Sequence, residues 1–360
     1  MGFRLEFVIE RNTVKTIILS LLVCLLLGTS PGFAWQEETS PVGFDLYGVW
    51  AADSDVAYAV GFGGLILKRT GGTWSQMNSN TTLSLFDVWG SNQDDVWAVG
   101  VGGITLHWDG TNWSVVESGT SASLVAVEGY NSSHIYSAGS TRRNVYLQWN
   151  PTSSAMDDSF HWMLWDTGSG SGQTVFTVDA ISVGGRGDVW LAGRVSDTDA
   201  NAVMQHWNGN TWVSYADNSG RRINDIDGTA SNAVVVGLDN FVQYFNGTIW
   251  TDVSPLGFTE TPWRSVVICS DGVYICGDRG LILHWDHSNW ITDVNLDDSV
   301  QGFNKIHSAG SSIWAVGLNG KIYKSTVSTP QIKKADIVRD GIVDLNDIAE
   351  FSSQWLTVAP

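Results

Sequence analysis

The sequence predicts an all-β fold, a seven-bladed β-propeller closed by its own N-terminal strand and followed by a small calcium-loop and helix module. Three observations predict it. A unit of about 40 residues returns along the chain, each unit holds four short strand-like runs, and a lone strand at the start matches the one the last unit lacks.

The unit is clearest at residues 85–121, LFDVWGSNQDDVWAVGVGGITLHWDGTNWSVVESGTS. Apolar runs at Phe86–Gly90, Val96–Gly100, Ile104–Trp108 and Trp113–Glu117 are separated by Gly, Asn and Asp, the pattern of four antiparallel strands. The second run returns as AYAVG at Ala57, IYSAG at Ile135, DVWLAG at Asp188, NAVVVG at Asn232, GVYICG at Gly272 and SIWAVG at Ser312. The third ends as LHW, LQW, QHW and LHW at Leu106, Leu147, Gln205 and Leu283. The fourth opens on Trp74, Trp113, Trp162, Trp212, Trp250 and Trp290, spaced by 39, 49, 50, 38 and 40 residues. Four strands at such a period make a propeller blade.

The last unit, Phe303 to Thr326, has three such runs. Trp35-Gln-Glu-Glu-Thr-Ser lies 39 residues before Trp74 and parallels Trp113-Ser-Val-Val-Glu-Ser. The segment Trp35–Ser40 is therefore expected to pair beside Ile322–Lys324 and close the ring, leaving only short sheet edges. Residues 35–328 then divide into seven units of about 42 residues.

The GG-T-W, DG-T-N-W and NG-T-I-W turns ahead of the fourth strand resemble degenerate Asp-box (BNR) repeats. The whole unit resembles propellers of the photosystem II stability-factor-like type, and tectonin-type lectin repeats share its V-W-A-V and D-G-x-x-W look. That resemblance implies the propeller and a binding or interaction role, while such rings host unrelated activities.

Ahead of the ring, residues 1–34 read as a secretory signal. Arg4, Arg11 and Lys15 precede an apolar run from Ile17 to Leu27, and Gly32 and Ala34 stand at −3 and −1 of a cleavage site. An 11-residue apolar core is well short of the roughly 20 a spanning helix needs, so the mature form is expected to have no membrane span and to be secreted, extracellular or held at the cell surface. The chain carries a net charge of −18, and losing the leader leaves it still more acidic, which argues against nucleic acid as a partner. Cys269 and Cys276 remain, and the sequence leaves open whether they pair.

Tryptophans that return at one strand position pack blade against blade. Trp165 and Trp263 read as lying outside the repeat. The histidines of LHW, QHW and LHW (His107, His206, His284) likewise share one site and read as packing. So do the inner-strand acids, where Asp87 matches Asp225 and Glu128 matches Asp227. There is no G-x-S-x-G elbow, H-E-x-x-H or P-loop, so no catalytic residue is assigned. The alternative reading is a glycan-active hydrolase of an extracellular polysaccharide-degrading system, built from paired carboxylates in the funnel.

Seven of the ten arginines beyond residue 34 fall in one class of loop. Arg142, Arg143, Arg194 and Arg279 read as lying between second and third strands, and Arg221, Arg222 and Arg264 between one blade and the next. These loops open on one face, so the seven are expected to line a site for an acidic glycan or other anionic ligand. After a Thr/Ser/Pro linker (329–335), residues 336–360 change character. Asp336, Asp340, Asp344 and Asp347 take positions 1, 5, 9 and 12 of a 12-residue loop, with Gly341 at the sharp turn and the Ile342 carbonyl at position 7, the spacing of a calcium site. Leu345, Ile348, Phe351 and Trp355 follow at helical spacing. The segment resembles one half of a type I dockerin, with Val338 where a third ligand is usual, and that resemblance implies weak calcium binding and a cohesin-like or surface scaffold partner.

Overall fold

The computed structural model describes residues 34–139, 145–150, 155–157, 176–185, 187–195, 202–217, 220–296 and 302–326. The leader, the linker and the calcium-loop module lie outside them, as do Arg142, Arg143, Trp162 and Trp165.

The described strands form seven four-stranded antiparallel sheets, a β-propeller. The first sheet holds β2 (Leu46–Ala51), β3 (Ala57–Gly61), β4 (Ile66–Thr70) and β5 (Thr73–Met77), and the second β6 (Leu85–Asn92), β7 (Asp95–Gly100), β8 (Thr105–Trp108) and β9 (Trp113–Val115). The third holds β10 (Leu124–Asn131), β11 (His134–Gly139), β12 (Val145–Asn150) and β13 (Ala155–Asp157). The fourth holds β14 (Phe176–Gly185), β15 (Asp188–Val195), β16 (Ala202–Trp207) and β17 (Trp212–Asp217). The fifth is β18 (Ile223–Thr229), β19 (Asn232–Gly237), β20 (Val242–Phe245) and β21 (Trp250–Asp252), and the sixth β22 (Trp263–Cys269), β23 (Gly272–Gly277), β24 (Leu281–Trp285) and β25 (Trp290–Asn295). The seventh combines β26 (Phe303–Ala309), β27 (Ser312–Gly317) and β28 (Ile322–Thr326) with β1 (Ala34–Glu38) from the other end of the ring.

The innermost strands β2, β6, β10, β14, β18, β22 and β26 each pack on the next, and β26 packs on β2. The N-terminal strand ends at Glu38 rather than Ser40, because Ser40 is used in a turn. Its hydroxyl bonds to the Val42 backbone, as Ser79 does to Thr81 and Ser118 to Thr120. The 39-residue spacing of these serines is a second sequence mark of the displaced strand.

Burial follows the repeat. The central strands are apolar on both faces because each sheet is covered by two others: Trp97, Trp190, Trp314, Tyr58 and Tyr274 are all fully or almost fully buried. The histidines of β8, β16 and β24 stack on them, His107 on Trp97 at 4.2 Å, His206 on Trp190 at 4.4 Å and His284 on Tyr274 at 4.3 Å. His107 and His206 also meet Asp95 and Asp188 at 2.7 Å, so their ring nitrogens are used within their own sheets. Burial alone would raise the Asp95 pKa, but hydrogen bonds from His107, Ser91 and Trp97 hold it below the usual range.

The Asp-box-like turns are Asx turns. Asp109, Asn208, Asn246 and Asp286 each accept two backbone N–H bonds from the residues two and three further on. Trp263 corrects the reading that set it outside the repeat. It fills the first inner-strand core position, where other sheets have Leu85 or Ile223, and is fully buried with its indole N–H on Asn240 Oδ1 at 2.9 Å. A tryptophan at a site of smaller residues hid the match.

Candidate functional site

The inner strand of every sheet is an edge, so its unpaired backbone groups need partners from the neighbouring sheet. Three side-chain positions on these strands supply them. Asn224 donates to the Trp263 carbonyl and Asn304 to that of Leu46, both at 2.8 Å. One residue on, Asp87 accepts the Val127 N–H (3.0 Å), Asp225 the Val266 N–H (3.2 Å) and Ser265 the Ile306 N–H (3.2 Å). Two further, Ser182 accepts the Gly228 N–H (3.1 Å), Asp227 the Ile268 N–H (2.6 Å) and His307 Nδ1 the Ala51 N–H (3.3 Å). The recurrence of Asp87 with Asp225 is thus a repeat device that stitches one blade to the next. In the first two sheets the third position is apolar: Trp50 covers Gly90 and Trp89 covers Gly129, each so closely that a Cβ on the glycine would meet the indole at 2.7 and 2.6 Å.

Glu128 occupies the same position as Asp227 but has no hydrogen bond among the described residues. Around it the funnel gathers Asp87, Asp225 and Asp227 and one cation, Lys305, whose Nζ lies 3.3 Å from both Asp225 oxygens. Ser265 Oγ donates to Asp225 at 2.5 Å. Burial, and then the charges of Asp227 and Asp87, push Glu128 well above the usual carboxylate range; burial also raises Asp87 and Asp227, with Lys305 offsetting part of it. Burial disfavours the Lys305 ammonium, but Asp225, Asp87 and Glu128 outweigh it and raise its pKa. His307 is pushed down to about 4, chiefly by burial and then by Lys305, and stays neutral. The funnel therefore holds a fixed ammonium, carboxyl groups bonded to backbone amides and, in Glu128, a buried carboxyl whose neutral form is favoured. Among the described residues no group of three or more His, Cys, Asp or Glu is placed to hold a metal ion.

One end of the funnel is a mouth built from the inner-strand starts and the turns joining second to third strands. The register fixes this, since Leu46, Leu85, Ile223, Trp263 and Phe303 pair with the glycine that precedes each turn. Each turn is tied down alike: the N–H groups of Phe62, Val101, Leu238, Asp278 and Leu318 donate to the carbonyl before the inner strand. The turn after β3 ends on Gly64, whose φ is +79°, and a Cβ there would lie 2.2 Å from the Thr81 carbonyl oxygen; Gly103 and Gly320 face a carbonyl in the same way, while at Gly280 a Cβ would meet the Leu296 side chain.

The mouth is divided. On the fourth to sixth sheets it carries the described arginines. Arg194 is strand rather than loop, paired with Ala202 at the end of β15, and it and Arg222 face Asp179 at 3.7 Å. Arg221 reaches Asp252 at 3.2 Å and lies over the Phe241 ring at 4.9 Å. Arg264, within β22, bonds Asp278 at 2.5 Å. Arg279 is exposed in the next turn at φ +62°, where sister turns place Gly63, Gly102 and Asn319. A bulky residue in that region is uncommon. It has no ion pair among the described residues, because Asp278 is taken by Arg264.

On the first two sheets the mouth is aromatic. Phe44 and Phe62 stack at 6.2 Å and are 58 % and 56 % exposed; Tyr47 and Phe86, half-buried, meet at 5.9 Å; Leu83 is exposed beside them in sequence. Sequence reasoning missed this half because its members fall at non-repeating loop and strand-start positions. The only signal was that Tyr47 and Phe86 stand where later units have Asp179, Asn224, Arg264 and Asn304. Cys269 and Cys276 are free thiols on neighbouring strands, and burial pushes Cys269 up to about 12.

These features define a class: a closed propeller whose funnel is occupied by structural polar contacts and whose mouth presents a mixed aromatic and arginine surface, the make-up of a binding ring. Among solved structures the chain is similar to YCF48 bound to D1 peptide, at TM-score 0.61 and 15% identity, covering 83% of this chain and 98% of that one. It is also similar to YCF48 from Cyanidioschyzon merolae (0.62, 15%, 81% and 98%) and to the WD40 β-propeller domain of Doa1 (0.63, 9%, 82% and 98%). At such identities the likeness is one of fold. No protein-family model matches the sequence, and no curated protein matches it. Among the described residues no helix is long and apolar enough to cross a membrane.

Proposed function

We propose that this protein is an exported binding propeller that holds an acidic glycan or another anionic ligand at the arginine side of its mouth. Arg279 carries the reading: an exposed guanidinium held in a left-handed turn, with the neighbouring acid already engaged. Arg194 and Arg222 share one acid, Asp179, so that pair also keeps a surplus of positive charge in a chain of net charge −18. Arg142 and Arg143, outside the described residues, belong to the same loop class. A propeller of this fold holding a peptide, YCF48 with a D1 peptide, supports binding as the role. The tail at 336–360 would bind calcium through Asp336, Asp340, Ile342, Asp344 and Asp347 and dock a cohesin-like or scaffold partner. Retention of the full chain on a heparin-like or polyuronate matrix tests the mouth. Arg279→Ser with Arg142→Ser and Arg143→Ser is expected to abolish it without lowering the melting temperature, and unchanged retention refutes the site. Calorimetry of the full chain against its Asp336→Ala/Asp340→Ala variant tests the calcium loop.

One observation favours the hydrolase reading. Glu128 is a buried carboxyl raised well above the usual carboxylate range and without a hydrogen-bond partner among the described residues, in the same funnel as an Asp225 that Lys305 bonds, as an acid and its counterpart would be. Asp87, Asp225 and Asp227 are meanwhile spent on backbone amides. Release of reducing ends from an acidic polysaccharide, lost in Glu128→Gln, would establish that reading in place of the binder.

A further inference from the structure

The aromatic half of the mouth has no part in the anionic reading, and its chemistry is the opposite. Its rim segments, residues 40–47, 61–65, 77–86 and 100–104, contain no lysine, arginine or histidine and one acid, Asp45. Asp45 sits between the two aromatic pairs. Its backbone carbonyl accepts the Phe62 N–H at 3.0 Å, its carboxylate accepts the Asn319 N–H at 2.9 Å, and its charge reaches the Tyr47 hydroxyl. Among the described residues, four of the eight exposed large hydrophobics, Phe44, Phe62, Leu83 and Leu256, lie on the mouth side, and the first three belong to this one arc. Such a cluster on a soluble ring marks an interaction site.

Its charge decides the occupant. Phenyl and phenol faces attract a cation through their quadrupoles, a carboxylate set among them adds to that attraction, and no basic side chain on the rim segments opposes it. A second copy of this chain brings −18 of the same sign and is repelled. We infer that the Phe44–Phe62 and Tyr47–Phe86 pairs, with Asp45, form a docking surface for a basic protein segment, seating a lysine or arginine side chain against the rings. The acidic field of the whole chain steers such a segment in, and the aromatic arc fixes where it binds.

Field and arc are separable, because removing the rings changes no charge. The probe is a fluorescein-labelled Gly-Lys-Gly-Arg-Gly peptide amide, with its Gly-Glu-Gly-Asp-Gly counterpart, read by anisotropy on the full chain at about 0.15 M salt. The basic peptide is expected to bind more tightly than the acidic one. Phe44→Ala with Phe62→Ala should weaken it about tenfold. Asp45→Asn should weaken it by a few-fold, while Tyr130→Ala, an exposed ring outside the arc, leaves it unchanged. Both phenylalanines are exposed, and an unchanged melting temperature verifies the fold of the double variant. Basic-peptide affinity in the double variant within about twofold of the parent would overturn the proposal and leave diffuse attraction to an acidic surface. Equal or tighter binding of the acidic peptide would overturn it as well. Arg279→Ser is expected to leave the basic peptide's affinity unchanged, so failure here and failure of the anionic site are distinguishable.

Discussion

Glu38 is the residue on which closure of the ring turns. It ends β1, and its carboxylate takes the Arg69 guanidinium at two points, 2.8 Å from Nε and 2.9 Å from Nη2, while accepting the Trp74 indole N–H at 2.7 Å. Arg69 is otherwise held by the Asp55 carboxylate at 2.8 Å and the Asp55 carbonyl at 2.9 Å, and it covers the Trp314 ring at 4.9 Å. The pair is largely dry, with side-chain exposures of 8% and 17%. In Glu38→Ala a buried guanidinium keeps one acid instead of two and a buried indole N–H loses its partner. Breaking such a pair costs roughly 3–5 kcal/mol, and the remaining Asp55 places the cost near the lower end, at about 3 kcal/mol. A ring of this length has an unfolding entropy of about 0.6 kcal/mol/K, so the melting temperature should fall by about 5 °C. Glu37 on the same strand is the control. It reaches Lys321 across the surface, where the acid is 49% exposed, so Glu37→Ala should shift the melting temperature by no more than about 1–2 °C. Differential scanning calorimetry of the two variants decides the matter. If Glu38→Ala melts no lower than Glu37→Ala, the N-terminal strand is not held by this latch.

Lys305→Met leaves the funnel carboxylates without their cation and should destabilise the ring by about 3 kcal/mol, seen as a lowered denaturant midpoint; an unchanged midpoint refutes the central role of that ammonium. The raised carboxyls Glu128, Asp87 and Asp227 bind protons more tightly folded than unfolded. Their contribution is therefore complete below the ordinary carboxylate range and lost as pH rises through their raised folded values. The melting temperature should accordingly rise on acidification from neutral pH, until the lowered carboxylates Asp95 and Asp252 begin to protonate, and Glu128→Gln should stabilise the neutral protein and flatten that slope. Burial raises the Cys269 and Cys276 thiols, so both should react slowly with a thiol-reactive disulfide reagent in the native state, Cys276 the more slowly because it is fully buried, and react together in denaturant; rapid native labelling of Cys276 would contradict its burial.

The ring was legible because its signals repeat. Six of the seven second strands close on a glycine, the fourth strands of every sheet but the third begin on or beside a tryptophan, and one displaced copy, Trp35 to Ser40, shows where the chain meets itself. In the third sheet the fourth strand is β13 (Ala155–Asp157), ahead of the Trp162 that the sequence set at its start. The inner-strand acids were legible as a repeat, but their task was not. Asp87, Asp225 and Asp227 reach backbone amides about 40 residues away in the next sheet, a contact that exists only once the sheets are wedged together. Of the described arginines at the mouth, Arg221, Arg222 and Arg279 lie in the loops read for them while Arg194 and Arg264 lie in strands, and the partners of none were legible. Asp179 lies on an inner strand, and its meeting with Arg194 and Arg222 depends on the approach of the fourth and fifth sheets. The aromatic arc was least legible, since Phe44 and Phe62 are 18 residues apart and meet through a turn tied to Asp45.

The closure also fixes the direction in which the N-terminal strand runs. Ser40 and the Val42 carbonyl pack against Gly320, in the mouth-side turn before β28. The N-terminal strand therefore finishes at the mouth and starts at the opposite end. The third strand β28 leaves that same turn and runs away from the mouth to Thr326. Both junctions of the ring, at Ala34 and Thr326, thus open on the end opposite the mouth. Among the described residues the mouth is made of turns and strand starts, fastened by repeated backbone bonds and free to differ in their side chains. Those side chains have diverged into an aromatic, acidic arc on the first two sheets and an arginine arc on the fourth to sixth. The shared frame explains how both could arise without disturbing the ring, since each uses positions whose backbone is already satisfied.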